Sequence, residues 1–518
     1  MDGTASVGLQ AALTEWKQLS PKPPNKKQLE VLQKAFPKDG SRIELLVMGG
    51  PGTGKSTLLK AISAGYLAEG KTKITFAEYN TQVKMLEETV GKGPRTRAGF
   101  FQMPEGERSI PEEMCALMAE DAQKQVKSAD VMLEDEIFLC SPDRMDAVKA
   151  TVEILRNSPE RWGGLSTIKF GDPLQGSPIM PECEVERIPG SEVEPRKWLT
   201  TDGIWFDEAE ITVVVLNEYV RCPDVRLIAG HREISYGPAA MGEAAETLRK
   251  LASRKVFPDN LYVHTAFGSN YGVMEKHNEK AWRRAQRRGH TVANGGVVHY
   301  KDEDAMKRHR SEPSKLKAIR GHGFEEHVLV RGELYLITVK QRDPLDVNAA
   351  VKAGRKFVTH MTPAELIRFG FDANGKLTKL HLRVQSDGRT NEVELSRKRV
   401  QVGAVYANVF ELKPFYERFA RLYQGLQFPE FEIDTRGFNF EAKGLLGMSL
   451  SRVTDLDGLK LTACGSFKRM QNLGKADWKV VIFMARYVDV PARALEWARS
   501  AEAVWLDSWQ QYDRQMQV

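Results

Sequence analysis

The stretch Gly49-Gly50-Pro51-Gly52-Thr53-Gly54-Lys55-Ser56-Thr57 carries the residue types that hold a triphosphate, at the spacing GxxxxGK[ST]. Glycines let the backbone curl until successive amide N–H groups point at one phosphate. Lys55 brings a positive charge to the β- and γ-oxygens, and Ser56 offers a hydroxyl to Mg²⁺. The helix that follows turns its positive end toward the same point. The sequence therefore predicts an NTP site made by Gly50, Pro51, Gly52, Thr53, Gly54, Lys55, Ser56 and Thr57. Such a loop needs a carboxylate at the end of a neighbouring strand. Val131-Met132-Leu133-Glu134-Asp135-Glu136 supplies two, Asp135 to hold the metal with Ser56 and Glu136 to polarise the attacking water. Glu134 is out of pattern, because an apolar residue suits that strand position. In Gly171-Asp172-Pro173-Leu174-Gln175 a strand ends in a turn that delivers a carboxamide. Gln175 can donate and accept hydrogen bonds, so it can sense a γ-phosphate and its water. Arg221 and Arg452 are candidates for the cations that stabilise charge spreading over a transferring phosphoryl group.

These groups cooperate only if strands deliver them to one edge of a sheet. Apolar runs at 43–48, 73–77, 130–134 and 166–170 alternate with helical stretches such as 58–66, the pattern of a parallel sheet covered by helices. Asn25 can cap a helix over 26–35 after the Pro-rich run ending at residue 24. A second α/β region is expected over 200–295, with strands at 211–216 and 260–265. Residues 300–405 change character: short β-type runs at 334–339, 380–384, 392–395 and 400–402 alternate with Gly, Asp and Asn turns. The α/β pattern returns at 406–490. The expected organisation is an extension at 1–25, a first domain at 26–190, a second at 191–299 and 406–495 interrupted by a β-rich insertion at 300–405, and a helical tail at 496–518.

A chain of 518 residues exceeds what one core serves. Its 42% hydrophobic and 28% charged content excludes disordered and fibrous classes. The net charge of +6 is compatible with a polyanionic partner. Five cysteines without a CxxC pair imply a reducing compartment and no zinc site. The lack of a signal peptide pattern or a bilayer-length apolar run gives the expectation of an intracellular protein (nucleus, cytoplasm or viral replication site) with no membrane partner.

The order Gln28, phosphate loop, Asp135-Glu136, Gly171-Asp172-x-x-Gln175, Arg221, Gln424-Gly425, Leu450-Ser451-Arg452 resembles superfamily-one helicases. More narrowly it is similar to the petite-integration-frequency (PIF) and RecD-like branch, which moves 5′ to 3′. Trp162-Gly163-Gly164-Leu165 is similar to a segment that branch carries between its acidic and Gly-Asp motifs. Ser449-Leu450-Ser451-Arg452-Val453-Thr454-Asp455-Leu456-Asp457-Gly458-Leu459 resembles its signature, and the likeness spans about 25–465. It implies two RecA-like parallel-sheet domains with an SH3-like insertion in the second, clamping ATP and Mg²⁺. Gln28 is then the adenine reader, Lys55 and Ser56 bind phosphate and metal, and Asp135 and Glu136 are metal ligand and base. Gln175 couples nucleotide to nucleic acid, and Arg221 and Arg452 act as arginine fingers. The implied partner is single-stranded or tailed duplex DNA, with RNA possible.

The segments that touch nucleic acid in that family correspond here to 77–82, which holds Tyr79-Asn80, to 96–101 and to 414–425, which keeps Gln424-Gly425; read from the residues, Arg95 and Arg97 beside Phe100 are the candidate contacts in the first domain. Basic residues neutralise phosphates and flat rings stack on bases. Arg283, Arg284, Arg287 and Arg288, and Lys307-Arg308-His309-Arg310, are further basic stretches. The chain departs from the family where Phe419, Arg421 and Leu422 replace a Thr, His and Lys, where Cys222 replaces Gln, where Gly176-Ser177 replace Leu-Pro, and where Tyr79-Asn80 replace Pro-Thr. Two rivals to a DNA motor stay open on these residues: a degenerate helicase acting as a nucleic-acid-binding scaffold, and a virus-type RNA helicase.

Overall fold

The computed structural model describes residues 6–78, 82–83, 86, 90, 93–104, 108–175, 178, 185–220, 222–256, 264–267, 297–300, 327–331, 334–337, 362–386, 389–402, 405–410, 412–414, 417–419, 428–435 and 443–516. Contacts divide the chain into two compact units, residues 1–269 with 419–518, and residues 270–418.

Short apolar runs flanked by amphipathic segments must become buried strands, and six of them form one sheet in the first unit. The strands β1 (Glu44–Gly49), β2 (Lys73–Ala77), β3 (Arg95–Thr96), β4 (Val131–Glu134), β5 (Ser166–Gly171) and β6 (Thr212–Leu216) lie in the order β3-β2-β4-β5-β1-β6. Every neighbouring pair is parallel. All carboxyl ends therefore open at one edge, and the loops that leave them can share a site.

Three helices cover one face: α1 (Val7–Leu19), α2 (Lys26–Ala35) and α3 (Lys55–Ala68). Trp16, Val31, Leu32, Leu58 and Ile62 pack there with Val47 and Leu133. α1 lies close on α3, because a Cβ on Gly65 would stand 2.5 Å from the Gly8 carbonyl oxygen. The helix in the N-terminal extension is a feature that sequence analysis does not isolate.

Two boundaries differ from expectation. The run at 212–216, assigned from sequence to the second α/β region, is the edge strand of the first sheet, paired with β1 from Leu45↔Thr212 to Gly49↔Leu216. A buried β-branched strand fits either sheet equally well, so the pattern alone does not choose. The C-terminal helices Trp478–Ala485 and Ala492–Met516 also return to the first domain rather than closing the second. Val481, Phe483 and Ala498 share a core with Met132, Phe138 and Trp205. The Trp198 indole donates to Asp477 Oδ2 at 2.7 Å, and Lys479 Nζ donates to Asp202 at 2.7 Å.

A second parallel sheet in this unit sets Phe431–Asp434 between His264–Phe267 and Leu459–Thr462. The helices Val225–Ser235, Glu243–Arg254 and Leu445–Leu450 accompany it. In the other unit, Arg389–Ser396, Leu377–Ser386, Thr362–Phe371, Leu334–Ile337 and Leu412–Pro414 form a sheet in that order, antiparallel throughout. Its first hairpin turns at Asp372-Ala373-Asn374-Gly375. Asp372 Oδ1 accepts from Asn374 N at 3.0 Å, and Gly375 takes a φ of 73° that suits glycine.

Candidate active site

The loop between β1 and α3 closes on itself. Gly52 and Gly54 hold φ of 75° and 94°, left-handed values that a side chain resists. A Cβ on Gly49 would stand 2.6 Å from Thr53 Oγ1, so that glycine is sterically required. Lys55 Nζ donates to the carbonyl oxygens of Gly49 at 2.6 Å and Gly50 at 3.2 Å, which holds the ammonium inside the cradle. Gln28 is buried beside it. Its Oε1 accepts from Asn25 N at 3.0 Å and its Nε2 donates to Thr53 O at 2.9 Å, tying the start of α2 to the loop.

The acidic pair follows β4 across β5 from the loop. Asp135 is half-buried, and desolvation and the neighbouring Glu136 push its carboxyl up to about 7 against the pull of Lys55. Glu136 adopts a φ of 53° with its amide on Asp135 Oδ1 at 2.9 Å, a strained turn of a kind concentrated at functional sites. Asp172, after β5, is raised to about 6 by burial, opposed by Lys55. Its Oδ1 accepts from Leu174 N at 3.0 Å, which fixes the turn that carries Gln175. Among the described residues, buried Gln175 Oε1 has no hydrogen-bond partner.

The signature segment forms the opposite wall. The helix Leu445–Leu450 ends at Ser451, and Arg452 is buried with Nε donating to Met448 O at 3.0 Å and to Ser451 Oγ at 3.2 Å. Burial lowers its pKa to about 10, while the charges of Glu136 and Asp172 pull it back up. Asp172 thus stands in the field of both Lys55 and Arg452. Arg221 lies outside the described residues, but its neighbours bridge the two walls. Val220 N donates to Gly52 O at 2.8 Å, and Cys222 Sγ donates to Thr454 O at 3.1 Å. A small cavity separates Pro51 and Gly52 from Ser451 and Thr454, and a larger one of about 660 Å³ is lined by Gly50, Asp172, Tyr219, Arg232 and Tyr487.

His231 stands behind this wall, with Nε2 2.9 Å from Gly447 O. Burial, with Arg452 adding repulsion, lowers its pKa to about 4. The unfolded chain takes up this proton first, so stability present above pH ~6.5 is lost as pH falls toward ~4, by about 3 kcal/mol. Urea unfolding at stepped pH should show this limb, and His231→Gln should flatten it. An identical slope in both proteins would refute the assignment.

The structure sets Lys55, Asp135, Glu136, Asp172 and Arg452 within electrostatic reach of one another, with Gln175 bonded to Asp172, Gln28 tied to the loop at Thr53, and Ser56 following Lys55 in the first turn of α3. It does not bring Arg97 and Phe100 to a nucleic-acid surface, which corrects that expectation. Arg97 is 1% exposed, with Nε on Glu134 Oε1 at 3.1 Å and Nη1 on Glu78. Phe100 packs on Phe76, their centroids 4.8 Å apart. A ring held in the core cannot stack on a base. Arg95 keeps a 45% exposed side chain beside Asp121. Tyr79, Asn80, Gln424 and Gly425 lie outside the described residues, as do the basic stretches at 283–288 and 307–310. Sequence reasoning missed Asp172, Tyr219 and residues 484–489 as walls of the cleft. The first sits inside the Gly-Asp motif and could have been read there; the others have no local signal.

The groups fit a nucleotide and its metal. Gly52 and Gly54 curl the loop in left-handed conformations, Lys55 holds its ammonium against it, and the unpartnered Gln175 Oε1 can accept from a water. Among the described residues, no cluster of three His, Cys, Asp or Glu could hold a metal unaided. Ser56 and Asp135 could supply the one or two protein oxygens that Mg²⁺ takes together with phosphates.

A family model described as "AAA domain" matches residues 23–159. No curated protein matches the chain. Among solved structures, the Pif1 helicase from Candida albicans superposes with a TM-score of 0.63 at 16% identity, covering 89% of this chain and 99% of that one. The chain has the fold of Pif1 helicases. Bacteroides Pif1 bound to single-stranded DNA gives a TM-score of 0.62 at 16% identity, covering 90% and 97%. Bacteroides Pif1 in complex with ADP-AlF3 and single-stranded DNA gives 0.61 at 18% identity over the same shares. The six-stranded sheet with its phosphate loop is therefore one RecA-like α/β core of a Pif1 fold. No helix among the described residues is long and apolar enough to cross a membrane.

Proposed function

We propose that this chain is a divergent member of the PIF-type branch of superfamily-one helicases: an ATP hydrolase that moves 5′ to 3′ on single-stranded DNA and separates duplex strands. The observation that carries the reading is Arg452, buried in the wall opposite the phosphate loop and in the field of Glu136 and Asp172. Lys55 and the loop amides grip the β- and γ-phosphates, while Glu136 orients the water and takes its proton. Arg452, together with Arg221, stabilises charge at the γ-position. Ser56 and Asp135 would hold Mg²⁺, which would supply charge neutralisation on the phosphates. Gln28, Val220 and Cys222 tie the loop to its surroundings, so a change at the γ-phosphate is felt in both walls. Alternate tightening and loosening of the two lobes then moves a strand held at Arg95, at Tyr79-Asn80 and at Gln424-Gly425. The DNA complexes of Bacteroides Pif1 support this choice of partner.

The test is strand separation of a 5′-tailed duplex with ATP and Mg²⁺, together with ATP turnover with and without single-stranded DNA or RNA. Wild type should unwind and be stimulated, more by DNA than by RNA. Equal strand separation by wild type and Lys55→Ala would refute the motor.

A further inference from the structure

Beneath the carboxyl edge of the first sheet lies a chain of charges that the nucleotide chemistry does not use. Glu134 ends β4 with no exposed surface. Its Oε1 accepts from Arg97 Nε at 3.1 Å, and its Oε2 stands 3.9 Å from the ammonium of Lys169, its register partner on β5. Arg97 Nη1 continues the chain to Glu78 at the end of β2. Lys169 rests over the ring of Trp162, 4.1 Å from its centroid. Enclosed charges are expensive, and well-packed apolar side chains of similar volume often serve a sheet as well or better. Stability alone does not account for the cluster.

Its position does. Glu134 is bonded through one peptide to Asp135 and through two to Glu136. Arg97 begins the short helix Arg97–Phe101, directly after the exposed Arg95, and Thr96 lies in register with Ala77 of β2. The backbone adds a parallel link, as Asp135 N donates to Phe76 O at 3.0 Å. Arg97 is therefore tied at once to the rim around Arg95 and to the strand that presents the hydrolytic carboxylates.

One feature makes the link switchable rather than static. Among the described residues, Arg97 Nη2 and Glu134 Oε2 have no hydrogen-bond partner. A guanidinium and a carboxylate side by side can form two parallel bonds, yet this pair forms one. A small shift of the Arg97 helix would add the second bond, giving two discrete arrangements with different pulls on Glu134. Glu136, held at a φ of 53°, sits where such a pull alters the aim of the carboxylate.

We propose that the Glu78–Arg97–Glu134 ion-pair chain is a positioning device that transmits strand binding at the Arg95 rim to Asp135 and Glu136, by passing from its single-bonded to its doubly bonded form. This rests on the motor reading above. The measurement is ATP turnover against single-stranded DNA concentration for wild type, for Glu134→Gln and for the double variant Arg97→Leu with Glu134→Leu. Glu134→Gln keeps the shape and an acceptor but loses the charged fork; the double variant replaces the pair by apolar groups.

Basal turnover without DNA should stay within about twofold of wild type, while stimulation by DNA should fall by about fivefold to thirtyfold. A purely structural cluster would lower the melting temperature and basal turnover together and leave the stimulation ratio alone, which would overturn the proposal. So would wild-type stimulation in both variants. If the double variant fails to fold, the near-isosteric Glu134→Gln decides. A wild-type enzyme indifferent to DNA would instead overturn the motor reading, and the two failures are told apart by the wild-type curve.

Discussion

Replacing Arg452 by alanine should lower ATP turnover about 10³-fold or more while nucleotide affinity changes only severalfold. The reason lies in where the cation stands. Arg452 is 4% exposed, so water screens it little, and burial brings its pKa down only to about 10. It stays protonated at neutral pH. Its Nε is pinned by Met448 O and Ser451 Oγ, which leaves little reorganisation to make when charge develops at the γ-phosphoryl. An interaction that matters most in the transition state appears in kcat rather than in binding. Arg452→Lys should recover only part of the loss, since an ammonium keeps the charge but not the planar fork. Steady-state turnover and fluorescent-nucleotide binding on the same samples separate the effects. Turnover of Arg452→Ala within tenfold of wild type would exclude the finger role.

Much of this cleft was legible because its chemistry is local in sequence. The phosphate loop is nine consecutive residues between an apolar run and a helix, and the backbone takes the positive φ that its glycines permit. Asp135 and Glu136 were readable as the two residues after a strand. What failed was pairing across distance. Thr212–Leu216 is a strand by composition, yet only contact with β1 assigns its sheet. The helix Trp478–Ala485 reads as part of the second domain and residues 496–518 as a tail, because nothing near Asp477 announces Trp198, its hydrogen-bond partner 279 positions away.

Arg97 and Phe100 show the same limit from the other side. A basic residue beside paired phenylalanines suits a stacking surface and a core equally. Phe76, Phe100 and Phe101 chose the core, with centroids 4.8 to 5.3 Å apart. Glu134 was visible as an anomaly, but its partner was not. The Glu134–Arg97 bond spans 37 positions, so the sequence exposes a buried charge without naming what neutralises it.

Glu136→Gln should lower kcat by about 10²- to 10⁴-fold, the usual worth of a positioned general base, with ATP and Mg²⁺ still bound. The carboxamide preserves shape and a hydrogen-bond acceptor for water but cannot take its proton. The same substitution has a second, separable consequence. Asp135 is raised to about 7 by burial and by the charge of Glu136, with Lys55 opposing. Below that pH the free protein holds a proton on Asp135, and a metal must displace it. The Mg²⁺ concentration for half-maximal nucleotide binding should therefore rise as pH falls through about 7 in wild type. Removing the Glu136 charge relieves one cause of the elevation, so in Glu136→Gln the rise should begin at lower pH. Titrating Mg²⁺ against fluorescent-nucleotide binding from pH 5.5 to 8.5 reads this shift without any turnover. Loss of turnover with an unmoved Mg²⁺ profile would mean that the two carboxylates do not share one electrostatic site, however close their positions in the chain. Loss together with the shift would mean that the strained turn after β4 holds base and metal ligand as a single unit, which is the arrangement hydrolysis requires.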